Sequence, residues 1–160
     1  MDYQVIDNFL TEEVFQRYSV LATNEIPVFY QDGVGVEGKD SEYYFTHSFY
    51  NFHHKQSNFF DSLILPLLEK INLRALIRAQ ANFYPKTHKI TEHEKHVDQP
   101  FDHRVLILYV NTCDGFTRLA KDTVVKSVAN RAIIFDGNIY HNSTTCTDEK
   151  MRRIINVNFV

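Results

Sequence analysis

The chain has no tryptophan and only two cysteines, four prolines and five glycines in 160 residues. Cys113 and Cys146 each stand alone, with no C-x-x-C pair and no dense cysteine framework. That excludes a disulfide-stapled secreted scaffold, so the expected compartment is the reducing cytoplasm. Charge of one sign is not in excess either: 17 Lys and Arg against 20 Asp and Glu give a formal net charge of -3. The basic stripe of a nucleic-acid binder is missing. No apolar run approaches the ~20 residues of a membrane span, and MDYQVIDNFLTEEVF lacks the charged start and apolar stretch of a secretory leader. Repeats, linkers and low-complexity tracts are also lacking. The expectation is one soluble, unprocessed domain, 1–160, large enough to build its own core.

The patterns that are present divide the chain in two. DYQVIDNF alternates like a short strand. LTEEVFQRYSVLA then reads as a helix with Thr11 at its N-cap, Glu12 and Glu13 in the first turn, and Val14, Tyr18 and Leu21 toward the core. The glycine-rich DGVGVEGKD precedes the aromatic segment SEYYFTHSFYNFHH. SNFFDSLILPLLEKI follows as a second helix, capped at Ser57 or Asn58 and kinked or broken at Pro66. From Leu76 the period becomes two. RAQANFY sets Arg78, Gln80, Asn82 and Tyr84 on one face, RVLILYVN and RAIIFDG are apolar runs of strand length, and RRIINVNFV closes the chain as a strand. Helices first and strands after predict an α+β layout, with a helical support region over about 1–75 and an antiparallel sandwich or jelly roll over about 76–160.

The densest chemistry lies in EHEKHVDQP, residues 92–100. A zincin needs histidines at i and i+4, whereas His93 and His96 are three apart, and an EF-hand needs a longer oxygen-rich loop with a central glycine. H-x-D remains: on an extended backbone His96 and Asp98 project to one face and can take adjacent positions on one ion. Two ligands do not make a site, and the plain alternative is a solvated loop. A third donor is available in NRAIIFDGNIYHNSTTCTDEKMRRIINVNF, where His141 follows an apolar strand. Two histidines and one carboxylate are the facial donor set that leaves positions of an octahedral iron open.

With these residues in view the chain resembles the Fe(II)/2-oxoglutarate-dependent oxygenases, in particular the small prolyl-4-hydroxylase-like members found in bacteria and their phages. The resemblance rests on VIDNFLTEEVF and, from residue 76 onward, on RAQANFYP, His96 and Asp98, LILYVNTCDGFTRL, NRAIIFDGNIYH and RRIINVNF. Residues 25–60 contribute nothing to it. It implies a double-stranded β-helix, a cupin-like jelly roll, with N-terminal helices packed on the major sheet. It also implies that His96, Asp98 and His141 are the metal ligands and catalytic centre for Fe(II), and that 2-oxoglutarate chelates the same ion beside a position for O2. Ascorbate is a candidate auxiliary. The strand after the distal histidine would supply the cation for the far carboxylate of 2-oxoglutarate. Arg152 is favoured by its separation from His141 and shares a face with Ile154, Asn156 and Asn158; Arg153 is its rival. Tyr84 matches a tyrosine that assists the same carboxylate, its other reading being a core aromatic. The implied reaction hydroxylates an unidentified substrate while 2-oxoglutarate is oxidatively decarboxylated to succinate and CO2.

Two departures from the family pattern are visible. Asp114-Gly115-Phe116-Thr117 keeps only the second glycine and the threonine of the usual GGxT, and Asn130 stands where a glycine often precedes the strand to the distal histidine. Retention of the carboxylate at Asp98 favours hydroxylation over halogenation. The other histidines read plainly: His93 at the surface, and His47, His53, His54, His88 and His103 without carboxylates at chelating spacing. Neither cysteine has a base at a meaningful interval, so thiol catalysis is not indicated. Tyr43, Tyr44, Phe45, Phe49 and Tyr50 read as core and barrel lid, and residues 25–60, with the DGVGVEGKD loop, as the border of the entrance.

The expected partner is a substrate, a peptidyl proline by analogy, or another peptide, protein or small molecule. No membrane is expected and there is no clear nucleic-acid footprint, although the open substrate classes include free amino acids, small metabolites and a nucleobase; the expectation is a monomer or homodimer in the cytoplasm of a bacterium or phage-infected cell. The competing class is a non-catalytic cupin-like metal- or ligand-binding module, or a phage structural part, in which the same His and Asp are relics.

Overall fold

The computed structural model describes residues 3–33, 43–120 and 123–160. The DGVGVEGKD loop lies, from residue 34 on, outside the described residues. The order of elements is β1 (Tyr3–Ile6), α1 (Glu12–Asn24), β2 (Phe29–Gln31), β3 (Tyr44–Asn51), β4 (His54–Lys55), α2 (Phe60–Leu63), α3 (Leu65–Leu68), β5 (Leu76–Pro85), β6 (Arg104–Tyr109), β7 (Phe116–Leu119), β8 (Thr123–Lys126), β9 (Ala132–Asp136), β10 (His141–Asn142) and β11 (Met151–Phe159).

α1 begins after an extended Thr11, although the Thr11 side chain makes no capping hydrogen bond. Its first turn relies instead on Glu12 and Glu13 against the helix dipole. The buried stripe is Phe15, Tyr18 and Ala22, while Val14 is 41% exposed. The sequence expectation for Val14 is therefore wrong: the stripe is rotated by one residue because the larger Phe15 takes the inner position, and Leu21 packs only at its margin. SNFFDSLILPLLEKI splits into the single-turn helices α2 and α3, which meet at Ile64. Pro66 sits in the first turn of α3, where its missing N–H costs no helical bond.

Two antiparallel sheets form the jelly roll. The larger runs β1-β9-β6-β11-β5-β3-β2, with β4 paired to β3; the smaller runs β10-β7-β8. Residues before Leu76 supply strands as well as helices, since β1 pairs with β9 and β3 with β5. The aromatic, β-prone SEYYFTHSFY favours that outcome. Period-two alternation sorts the side chains of the large sheet. Ala79, Ala81, Leu106, Leu108, Ile155 and Val157 join the apolar residues of α1–α3 in one core cluster. Tyr84, Ile107, Tyr109, Ile133, Phe135 and Ile154 face the other way and form a second cluster with Leu119 and Val125 of the small sheet.

Register places the polar face of β5 against the inner face of β11: Arg152 is opposite Tyr84, Ile154 opposite Asn82, Asn156 opposite Gln80 and Asn158 opposite Arg78. Asn130 adopts a left-handed φ of 62°, which asparagine tolerates better than most residues. Its amide accepts from Leu10 N–H (2.9 Å) and donates to Leu10 C=O (2.8 Å), tying the N-terminal segment to the start of β9. Among the described residues no helix is long and apolar enough to cross a membrane.

Candidate metal centre and anion pocket

The two segments that carry the expected ligands are directly paired. His96 N–H donates to His141 C=O (2.9 Å) and His141 N–H to His96 C=O (3.0 Å), so the two histidines sit opposite one another with ring centroids 4.7 Å apart. Glu92 fastens the start of this segment: Arg118 of β7 holds its carboxylate through Nε (2.8 Å) and a terminal nitrogen (2.7 Å), and Asn142 adds a third bond at 3.2 Å. The Arg118 hydrogen bond pulls the Glu92 carboxyl down to about 2. His93 corrects the expectation of a surface residue. It is 4% exposed, with its ring 5.2 Å from Tyr84. The segment does not alternate regularly there, and the bond from His93 N–H to Ser143 C=O (3.0 Å) turns the side chain inward.

His96, Asp98 and His141 each offer a ligand atom within 4.8 Å of the others. His96 Nε2 lies 3.8 Å from Asp98 Oδ1, and His141 Nε2 lies 3.9 Å from Asp98 Oδ2. Adjacent ligands of an octahedral ion with bonds of about 2.1 Å are about 3 Å apart, so side-chain adjustments of under about 1 Å close the set. Tautomers also suit a metal. His96 Nδ1 bonds Glu94 C=O and His141 Nδ1 bonds Ile139 C=O, both at 3.1 Å. A carbonyl only accepts, so each Nδ1 carries the proton and each Nε2 presents its lone pair toward Asp98. Burial pushes His141 below the usual imidazole range, with Asp98 opposing, which favours the neutral ligand form.

Asp98 accepts from Arg78 (2.9 Å), Asn156 (3.1 Å) and Asn158 (2.8 Å). Burial alone would raise its carboxyl, but Arg78, His141 and the two asparagines outweigh burial and hold it well below the usual carboxylate range. Three accepted bonds leave lone-pair capacity for an ion. The donor set therefore fits Fe(II).

Arg152 is fully buried. Its Nε donates to Ser127 Oγ (2.7 Å), one terminal nitrogen to Ser143 Oγ and Thr144 C=O (3.2 Å), and the other to Thr117 Oγ1 (2.9 Å). All these partners are neutral, and among the described residues no carboxylate pairs with Arg152. The Arg152 guanidinium lies 5.5 Å from the ring centroids of both Tyr84 and Tyr109. Burial, partly offset by Arg152, pushes the Tyr84 hydroxyl up to about 12. Gly115 leaves the space this arginine occupies: a Cβ there would stand 2.6 Å from Arg152 Cδ and 2.7 Å from Thr145 O. Arg153 projects to the other face of β11, over the Phe83 ring.

A cavity of about 190 Å³ connects these features. It runs from the triad past Tyr84 to Thr117 and Ser143, which hold Arg152, and its other wall includes Tyr44, Gln80 and Asn82. About six waters would fill it at ~30 Å³ each, a volume suited to a small polar ligand. Of segment 25–60, Tyr44 reaches this wall, stacked on Tyr84 at 5.7 Å. The partners of Asp98 and Arg152 had no role assigned from sequence. Their legible signals were two strand faces, that of Arg78, Gln80, Asn82 and Tyr84 and that of Arg152 with Asn156 and Asn158.

No known family profile and no curated protein matches the chain by sequence. Solved structures do match its fold. A 2OG-Fe(II) oxygenase family oxidoreductase from Burkholderia pseudomallei superposes with a TM-score of 0.70 at 11% identity, covering 98% of this chain and 84% of that one. A prolyl-4-hydroxylase from Pseudomonas putida gives 0.63 at 13% identity, with 98% and 91% covered. A prolyl hydroxylase from Trichoplax adhaerens, in complex with a peptide fragment of the hypoxia inducible factor oxygen degradation domain, gives 0.66 at 17%, with 98% and 83% covered.

Proposed function

We propose that this chain is an Fe(II)- and 2-oxoglutarate-dependent dioxygenase. The observation that carries the reading is a small cavity that runs from a His-Asp-His donor set to Thr117 and Ser143, the hydroxyls that hold the buried Arg152 guanidinium, which has no carboxylate partner among the described residues. A buried cation with only neutral partners is costly, and an anionic ligand relieves that cost. In this reading His96, Asp98 and His141 hold Fe(II), and Arg152 receives the far carboxylate of 2-oxoglutarate with Thr117 and Tyr84 beside it. The bound metal and cosubstrate supply the oxidising chemistry: 2-oxoglutarate leaves as succinate and CO2 while dioxygen delivers an oxygen atom to a substrate C–H bond.

The chain's own contribution is positional. Glu94 and Ile139 carbonyls hold the Nδ1 protons, so both Nε2 atoms face the ion position. Arg78, Asn156 and Asn158 keep Asp98 ionised and aimed. Arg152 is fully buried between the rings of Tyr84 and Tyr109, and exclusion from water strengthens its attraction for a carboxylate. Helices α1–α3 serve as the support layer of the large sheet. Two of the similar structures are prolyl hydroxylases, one holding a peptide, so a prolyl peptide is the substrate to test first, with ascorbate as an auxiliary.

The experiment is anaerobic addition of Fe(II) and 2-oxoglutarate, followed by oxygen. The expected results are the visible metal-to-ligand charge-transfer band and then succinate, both lost in folded His96→Ala, Asp98→Ala and His141→Ala variants. A folded wild-type protein without the band would overturn the reading. The band without succinate would favour a non-catalytic cupin-like binder.

A further inference from the structure

We infer that Cys113, Cys146 and Asp148 form a second metal site, separate from the His-Asp-His centre, for a thiophilic divalent cation such as zinc. This inference does not depend on the proposed oxygenase activity. Each residue offers a ligand atom within 4.8 Å of the other two. Both cysteines are buried free thiols, and Asp148 is exposed, so the cluster opens toward solvent on the side where an ion enters. A tetrahedral zinc with Zn–S bonds of ~2.3 Å places two sulfurs about 3.8 Å apart, compatible with ligand atoms that all lie within 4.8 Å of one another. A fourth position is left to water.

The ligands stand on two loops, β6 to β7 and β10 to β11, that are already tied together. Asp114 N–H donates to both Asp148 oxygens (3.0 and 3.1 Å), and the Asp114 carboxylate accepts from Thr147 N–H (2.8 Å) and from the Thr147 hydroxyl. Cys113 N–H is held by Ser127 C=O at 3.2 Å. Each Asp148 oxygen gives one lone pair to Asp114 N–H and keeps others for an ion, while Cys146 Sγ donates to Glu149 C=O (3.4 Å), a bond that ligation as a thiolate would release. Two thiolates, one carboxylate and a dication would sum to one net negative charge.

Both cysteines are free thiols. A bound dication would displace their protons and hold both sulfurs as thiolates. The site would also staple the loop of Gly115 to that of Thr144 and Thr145, whose atoms border Arg152.

The test is titration of reduced, metal-free protein with Co(II) under anaerobic conditions, in the wild type and in a His96→Ala/His141→Ala background. A near-ultraviolet sulfur-to-cobalt charge-transfer band arises only from thiolate ligation, so the wild type suffices if the double variant fails to fold. The expected result is that band together with intense tetrahedral visible bands, saturating at one equivalent in the His96→Ala/His141→Ala background and displaced by zinc. Cys113→Ser and Cys146→Ser should each abolish or strongly reduce it, and Asp148→Ala should retain charge transfer while shifting the visible bands. A folded protein with no thiolate band would overturn the inference, as would a band unchanged in both serine variants, or the loss of both free thiols to a disulfide in protein prepared anaerobically. Each of these outcomes leaves the Fe(II)–2-oxoglutarate band untouched, so the two readings fail separately.

Discussion

Replacing Arg152 by methionine keeps most of the stem and removes the charge. In the proposed complex this deletes a desolvated guanidinium–carboxylate pair. Breaking such a pair costs roughly 3–5 kcal/mol when one charge is left buried. Taking the lower figure because the cosubstrate is also held at the metal, about 3 kcal/mol corresponds to roughly a hundredfold loss of affinity at 1.4 kcal/mol per decade. The unliganded protein should respond quite differently. Its Arg152 is buried among Ser127, Ser143, Thr117 and Thr144 O with no anion, and a cation in that setting contributes little net stability. Arg152→Met should therefore raise the KM for 2-oxoglutarate about a hundredfold, measured by succinate release, while the cosubstrate-free thermal midpoint moves by only a few degrees. Arg153, on the opposite face over Phe83, is the control: Arg153→Met should change KM by no more than about twofold. A KM in Arg152→Met within about threefold of wild type, or a larger effect at Arg153, would refute the assignment.

Gly115→Ala introduces a Cβ 2.6 Å from Arg152 Cδ and 2.7 Å from the backbone Thr145 O, where the backbone cannot easily give. Overpacking of this kind costs ~1–3 kcal/mol, so melting should fall and the 2-oxoglutarate KM should rise, with Fe(II) affinity in a metal titration unchanged. Glu92 contributes a pH dependence of definite sign. Its carboxyl is depressed from 4.5 to about 2 by Arg118, so its stabilisation is present above pH 4.5 and is lost as pH falls toward 2. The pair is partly exposed and screened, which limits the effect to about 1 kcal/mol at most. Acid melting curves of Glu92→Gln should be flatter than wild type over that interval, and equal slopes would sink the argument. Asn130→Ala forfeits two buried bonds to Leu10 and puts alanine at a φ of 62°, for a loss of about 2–3 kcal/mol in denaturant unfolding; Asn130→Gly should lose less.

The three residues that meet as a candidate donor set, His96, Asp98 and His141, were legible because their signal is local: H-x-D needs two alternate residues, and a histidine after an apolar strand supplies a third. Other features depended on geometry that a single segment does not carry. Val14 was misassigned because a helical stripe can rotate by one residue when Phe15 competes for the inner face. His93 was misassigned because alternation was assumed through 92–96, where only the ends of the segment pair. The proximity of Cys113 and Cys146 had no sequence signal at all, since 33 positions separate them and only the meeting of two loops joins them.

The polar face of β5 shows why the cavity itself was hard to read. Arg78, Gln80 and Asn82 alternate with Ala79, Ala81 and Phe83, and in an ordinary antiparallel sheet that pattern marks the polar residues as solvent-facing. Here the apolar side belongs to the core cluster that also holds residues of α1–α3, and the polar side turns into the jelly roll. The register with β11 decides this, because Asn158 opposite Arg78 and Asn156 opposite Gln80 bring two polar faces together. Buried polar groups need partners: Arg78, Asn156 and Asn158 find Asp98, and Gln80 donates to Asn82 (2.9 Å). The same register places Arg152 beside Tyr84 on the inner face, so the parity that separates Arg152 from Arg153 is a property of strand pairing and not of either arginine's neighbours in sequence.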